Sequence, residues 1–111
     1  MALVAIGPAA VPFLEEALAG SEGGVPDPLV VWALGEIGPG ARSSAPLLES
    51  VLRSEHAGLR RRAALAIGKI APVSSGIPAL QRALEDPDKL VRLAAVEALE
   101  NIERRSEKAA P

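Results

Sequence analysis

The stretch PLVVWALGEIGPGARSSAPLL, residues 28–48, decides the fold. It holds an apolar segment that ends at Ile37, a corner at Gly38 and Pro39, and a second apolar segment that begins near Ala45. Glycine and proline interrupt helices, and a proline is tolerated in the first turn of a new helix. The stretch therefore predicts two helices joined by a short corner.

The same pattern recurs along the chain. The tripeptides ALG at residues 33–35, AIG at 66–68 and ALE at 98–100 are separated by 33 and 32 residues, and the corners IGP at 6–8, IGP at 37–39 and IAP at 70–72 by 31 and 33. A period of this length is typical of arrays in which each helix pair buries its apolar side against its neighbours. The sequence therefore predicts an all-α fold, an α-solenoid.

Helix boundaries follow from helical periodicity, proline and capping residues. We predict six helices, at residues 9–19, 27–37, 42–53, 57–70, 76–85 and 88–107, and we assign residues 1–6 to the last turns of an earlier helix. Prolines expected in a first helical turn are Pro12, Pro46 and Pro78, with Ser44 and Ser75 near capping positions. Asp27-Pro28 and Asp86-Pro87 each predict an N-cap followed by proline at the first helical position.

The core must be aliphatic, because hydrophobic residues make up 49% of the chain and aromatic residues only 2%. Small residues at equivalent places in two units are expected where helices cross, since they let backbones approach closely. These residues are Ala33, Gly35, Ala66 and Gly68.

Residues 59–70, LRRRAALAIGKI, and 91–102, VRLAAVEALENI, resemble HEAT repeats, above all the short variety of the phycobilisome lyases (PBS-lyase HEAT-like repeats). That signature is an acidic loop followed by Val-Arg, Ala-Ala and Ala-Leu-Gly. Asp86 and Asp88 followed by Arg92 match it well, Arg60 matches it in part, and Asp27 stands where an earlier unit should carry the arginine. The resemblance implies a right-handed solenoid in which Arg60 bonds the acidic loops.

The chain contains half a repeat, two whole repeats and another half. We assign residues 1–105 to a single HEAT-like repeat domain and residues 106–111 to a tail that frays. The end helices of such an array keep an open apolar face. We therefore expect a homo-oligomer, a dimer or larger, formed through these end helices.

Charge and composition exclude several classes of function. A net charge of −2 gives no electrostatic reason to expect nucleic acid or an anionic membrane surface. The chain has no cysteine, one histidine and no uncharged run long enough for a membrane span. We expect a soluble, cytoplasmic protein with no cofactor and no catalytic activity.

A few residues are candidates for a site. Arg61 and Arg62 are candidate contacts to a phosphate or an acidic partner, but the cluster favours a solvated pair beside a structural Arg60, since no aromatic or further basic residue reinforces it. Trp32 is either an exposed anchor for a partner or a packing residue between repeats. His56 invites a metal site, but one histidine at a helix start favours an ordinary loop residue.

We therefore interpret the chain as a non-catalytic scaffold whose concave face, lined by the second helix of each repeat, holds a protein or peptide partner. Two alternatives stay open. One is part of a bilin lyase-type enzyme assembly, as the resemblance implies. The other is a structural or designed repeat segment.

Overall fold

The computed structural model describes residues 2–19, 26–70 and 73–109, which form seven α-helices and no strand. The helices are α1 Ala2–Ile6, α2 Val11–Ala19, α3 Pro28–Ile37, α4 Ala45–Val51, α5 Ala57–Ile70, α6 Val73–Ala83 and α7 Lys89–Ala109. The all-α repeat fold is confirmed, and α5 has the predicted bounds. Helix α7 continues into the tail predicted to fray, and residues 110–111 lie outside the described part of the chain.

The helices form two sets. The first helices of successive units are α1, α3, α5 and α7, and the second helices are α2, α4 and α6. Helix α5 packs between α3 and α7, and each second helix packs against the first helix of the following unit: α2 on α3, α4 on α5 and α6 on α7. A unit is thus stabilised by its neighbour, as expected for a solenoid.

Two of the corners between helices each contain a glycine whose φ lies in the left-handed region. Gly7 has φ 78° and Gly38 has φ 80°, a region that residues with a Cβ rarely adopt. The amide of Gly38 bonds back to the carbonyls of Leu34 and Gly35, which closes the end of α3. Each glycine begins a 3-10 segment, Gly7–Ala10 or Gly38–Ser44. The third corner, residues 71–72, lies outside the described residues.

Several predicted helix starts are wrong. Pro78 lies inside α6 rather than in its first turn, because this helix begins at Val73, three residues before the predicted start, and Ser75 consequently lies within the helix. Helix α4 begins at Ala45 rather than at residue 42, because the 3-10 segment extends to Ser44. Ser44 precedes α4 but makes no capping hydrogen bond, and its buried hydroxyl has no partner among the residues that the structure describes.

The N-cap of α7 is Asp88 and not Asp86, the residue that the sequence predicted. The Asp88 carboxylate accepts hydrogen bonds from the amides of Leu90 at 2.8 Å and Val91 at 3.2 Å, so Asp88 is the N-cap. Asp86 instead accepts from the amide of Asp88 and from Arg60. The prediction of an Asp27 cap is confirmed, since its carboxylate accepts from the amide of Leu29 at 2.9 Å.

The core is aliphatic, and its helices meet at small residues. Its largest fully buried side chains include Leu34, Leu48 and Ile67. A Cβ added to Gly35 of α3 would lie 3.1 Å from Ala66 of α5, and one added to Gly68 of α5 would lie 2.6 Å from Ala98 of α7. The first helices therefore stack through the glycines that the sequence placed at crossing points.

Candidate binding surfaces

Arg60 joins two consecutive loops. Its Nε donates to Asp86 Oδ2 at 2.9 Å, its Nη2 donates to Asp86 Oδ1 at 3.1 Å, and its Nη1 donates to the Ser54 carbonyl at 2.9 Å. The two charged side chains are 15% and 11% exposed. The loop before α5 is thereby fastened to the loop before α7. This paired geometry is a structural contact, as the resemblance implies for the signature arginine.

The electrostatics of this pair agree with its geometry. Hydrogen bonding from Arg60 is the main cause that holds the pKa of Asp86 below its ordinary value, against the opposing effect of burial. The Asp88 amide, together with the charges of Arg60 and Arg92, lowers the same pKa further. The carboxylate is thus ionised and engaged near neutral pH, which leaves it unsuited to acid–base chemistry.

Arg92 repeats part of this arrangement one unit later. Its Nη1 donates to the Asp86 carbonyl at 2.7 Å and to the Pro87 carbonyl at 3.1 Å. Arg60 makes the equivalent bond to Ser54, which also lies six residues before it. Within the described residues Arg92 has no carboxylate in an ion pair. Each signature arginine therefore binds backbone carbonyls of the loop that precedes its own helix.

Two of the remaining candidate contacts, Trp32 and Arg62, meet at a pocket of about 160 Å³ between α3 and α5. We call it the first-helix pocket; its lining residues are Trp32, Gly35, Arg62, Leu65, Ala66 and Lys69. Trp32 is 38% exposed, so its indole lies at the edge of burial. Lys69 forms an ion pair with Glu36, which offsets its charge.

The three consecutive arginines separate in space. Arg60 turns to the Asp86 loop, Arg62 lines the first-helix pocket, and Arg61 is exposed outside it. Neither Arg61 nor Arg62 forms an ion pair with any residue that the structure describes. The sequence did not predict that Trp32 and Arg62 line the same pocket. Neither segment alone carries a signal for this, because the two residues meet only through the stacking of α3 on α5.

A second cavity, of about 240 Å³, lies between α4 and α6 on the side of the second helices. We call it the second-helix groove; its lining residues are Glu49, Leu52, Arg53, Ala79, Arg82, Ala83 and Asp86. In HEAT-like solenoids the second helices line the concave surface, so this is the place where the sequence predicted partner binding.

The charges around the second-helix groove are largely unpaired. Glu49 and Arg53, and likewise Arg82 and Asp86, are four residues apart in the chain, but the described residues contain neither ion pair. Asp86 is held by Arg60 instead. Arg53 and Arg82 are exposed, whereas Glu49 is half-buried. The groove therefore presents two exposed cations to a ligand, beside the half-buried carboxylate of Glu49.

His56 has a local structural role. Its amide donates to the Ser54 hydroxyl oxygen at 3.1 Å, and its carbonyl accepts from the amides of Leu59 and Arg60 at the start of α5. Its side chain is exposed. Among the described residues, no group of three or more His, Cys, Asp or Glu is placed to hold a metal ion. In the same part of the chain, no helix is both long and apolar enough to cross a membrane.

Comparison with known proteins gives one match. A family model described as HEAT repeats matches residues 44–111. This match covers the region in which the signature arginines and the stacked glycine of α5 lie. It does not distinguish the phycobilisome-lyase variety, which stays a prediction. No curated protein and no solved structure matches the chain.

Proposed function

Because the chain belongs to the HEAT-repeat family, we propose that it is a non-catalytic scaffold that binds a protein or peptide partner in the second-helix groove. HEAT repeats generally mediate protein interactions and are typically non-enzymatic. The observation that carries the proposal is the groove of about 240 Å³ between α4 and α6, whose lining combines apolar side chains with two exposed arginines that form no ion pair with a described residue. Binding sites commonly combine an apolar surface with a few polar groups that fix orientation.

The groove indicates the chemistry of its ligand. Leu52, Ala79 and Ala83 supply apolar surface that suits one aliphatic side chain. Arg53 and Arg82 are exposed beside it and form no ion pair with any described residue. A peptide segment with a small aliphatic residue flanked by carboxylates satisfies both features, since arginine pairs with carboxylates in a bidentate geometry.

The first-helix pocket supports a second contact for the same function. Trp32 is partly exposed in it, and tryptophan and arginine are enriched among residues that contribute most to protein interfaces. Arg62 lines the same pocket without an ion-pair partner in the described residues, and Arg61 lies on the adjoining exposed surface. A larger partner could thus contact both sides of the repeat array.

A peptide display selection tests the proposal. Immobilised protein is exposed to a random peptide library, and selected peptides are then titrated against variants. Selected sequences should carry Asp or Glu beside an aliphatic residue, and R53E together with R82E should weaken their binding at least tenfold. R42E is the matched control, because Arg42 is exposed and lies outside the groove. Selected peptides that bind R53E/R82E and R42E equally would contradict the proposal.

The single tryptophan reports which surface is used. Because Trp32 lines the first-helix pocket and not the second-helix groove, a peptide in that groove should leave its emission unchanged, whereas a ligand beside Trp32 should shift it. The same titration with a free bilin tests the lyase alternative. A visible spectral shift of the bilin would favour that alternative over a scaffold alone.

A further inference from the structure

Helix α7 carries an exposed apolar stripe that the inner first helices do not have. Leu90 and Leu93 are each 53% exposed and Val96 is 44% exposed. The residues equivalent to Val96 are Val31 in α3 and Ala64 in α5, and both are fully buried in the stack. At the level of Val96, α7 therefore lacks the cover that its neighbours receive, whereas Leu93 stands where α5 carries the exposed Arg61.

Another first helix stacked in the same way cannot supply that cover. The stacking places Gly35 of α3 against Ala66, and Gly68 of α5 against Ala98, with no room for a Cβ at Gly68. The equivalent residue in α7 is Glu100, whose side chain is exposed. A side chain of this size keeps a following helix out of the close approach that the inner helices use. The occupant must therefore meet α7 in another geometry.

The charged residues on this face indicate what that geometry is. Lys89, Leu93, Val96 and Glu100 follow one another at spacings of four, three and four residues, so they lie on one face of α7. The order along the face is cation, apolar, apolar, anion. If a second helix with the same order lies antiparallel to α7, its anion stands opposite the cation of α7 and the apolar residues meet in the centre.

We propose that α7 pairs with α7 of a second copy of this chain, antiparallel about a two-fold axis that passes midway between Ala94 and Ala95. Leu93 then lies level with the partner's Val96, and Lys89 level with the partner's Glu100, because each lies the same number of residues from the axis. The interface contains each contact twice. Its apolar centre is flanked by ion pairs that fix both direction and register.

The free protomer leaves these groups available. Neither Lys89 nor Glu100 forms an ion pair with a described residue, and both are exposed. Pairing removes Leu93 and Val96 from water, and this burial of apolar surface favours association. Charge complementarity selects the antiparallel arrangement, since a parallel pair would place like charges at the same level.

Sedimentation equilibrium over a concentration series tests the pairing, with charge reversal as the probe. The wild-type chain should be in monomer–dimer equilibrium. K89E and E100K should each raise the dissociation constant about tenfold, because each replaces two symmetry-related attractions by repulsions. The double variant K89E/E100K should restore dimerisation to within about threefold, because opposite charges face each other again.

Two further variants separate this interface from others. L93D should abolish the dimer, and its far-UV circular dichroism should stay that of the wild type, because Leu93 is exposed. E55K is the control for charge change alone, since Glu55 lies in the loop before α5. Each of three results would overturn the proposal: a monomer at every concentration, a dimer indifferent to K89E and E100K, or an open series of oligomers, which indicates head-to-tail association through the other end of the array.

Discussion

Gly68 of α5 lies directly against Ala98 of α7, so close that a Cβ on the glycine would be 2.6 Å from both Cα and Cβ of the alanine. One unit earlier, the same relationship joins Gly35 to Ala66 at 3.1 Å. The Ala-x-Gly pattern is thus a stacking contact: the glycine of one first helix receives the alanine of the next. The difference of 0.5 Å between the two contacts has a measurable consequence.

Replacing Gly68 by alanine should lower the free energy of unfolding by about 1–3 kcal/mol, because the methyl group must push apart two helix backbones. G35A should cost less, below about 1 kcal/mol, since its neighbour needs to move only slightly and alanine favours the helix by about 1 kcal/mol. Urea unfolding followed by circular dichroism measures both values.

Gly58 is the matched control for the glycine contacts. It lies in the first turn of the same helix α5, and a Cβ there would meet nothing within 4 Å. G58A should therefore leave stability unchanged or raise it by up to about 1 kcal/mol. An order of stability other than G58A, then G35A, then G68A would show that the glycines do not set the helix spacing.

The bond between Arg60 and Asp86 predicts an acid-dependent loss of stability. The pKa of Asp86 is lower in the folded chain than in the unfolded chain, mainly through hydrogen bonding from Arg60. Its stabilisation is therefore complete above the unfolded value of about 3.9 and is lost as the pH falls through the folded value. D86N should be less stable than the wild type by about 1–2 kcal/mol at neutral pH.

Thermal unfolding as a function of pH checks this expectation. The difference in melting temperature between wild type and D86N should be constant from pH 7 to about pH 5 and should shrink below about pH 4. R60A should behave as D86N does, and R61A, which changes an exposed neighbour with no ion pair in the described residues, should behave as wild type. A difference that stays constant down to pH 2 would mean that the carboxylate is not stabilised by its partner.

Local features of the sequence predicted much of this fold. The period of ALG and AIG located the crossing glycines, and the apolar spacing gave α5 its bounds of Ala57–Ile70. Both features depend on contacts that recur from one unit to the next. The Asp27 cap was equally predictable, since a carboxylate followed by proline specifies the first turn without help from tertiary structure.

Features that depend on how elements meet were not predictable. Pro78 suggested a first turn, yet α6 begins at Val73, because tertiary packing can outweigh the preference of one residue. Asp86 resembled a cap in sequence, but Arg60, 26 residues away, binds its carboxylate and leaves the cap to Asp88. Trp32 and Arg62 meet only because α3 and α5 stack, and that geometry is absent from either segment alone.

The first-helix pocket should be detectable by fluorescence quenching. Trp32 is the only tryptophan, it is partly exposed, and the cation Arg62 lines the same pocket, whereas the charge of Lys69 is offset by Glu36. Iodide should therefore quench the emission more strongly than caesium at equal ionic strength, because the anion is attracted locally. R62E should lower the iodide quenching constant roughly twofold and raise that of caesium.

The control for this measurement is R42E, which makes the same charge change outside the pocket. If R42E and R62E alter quenching equally, the effect comes from net charge and not from the pocket. Equal quenching by both ions in the wild type would also contradict the prediction. Stern–Volmer plots at two salt concentrations separate the cases, since screening weakens the local attraction.

The cap of α7 provides the sharpest test of how the two aspartates divide their roles. Asp88 binds the amides of Leu90 and Val91, so D88A should cost about 1 kcal/mol, and D88N should cost less because asparagine also caps helices. Asp86 accepts from Arg60, so D86N should lose the charged pair although asparagine can still accept a hydrogen bond. Unfolding experiments should therefore show that Asn replaces Asp well at 88 and poorly at 86. Equal losses for D88N and D86N would mean that the two carboxylates share one function, which the hydrogen bonds of this loop contradict.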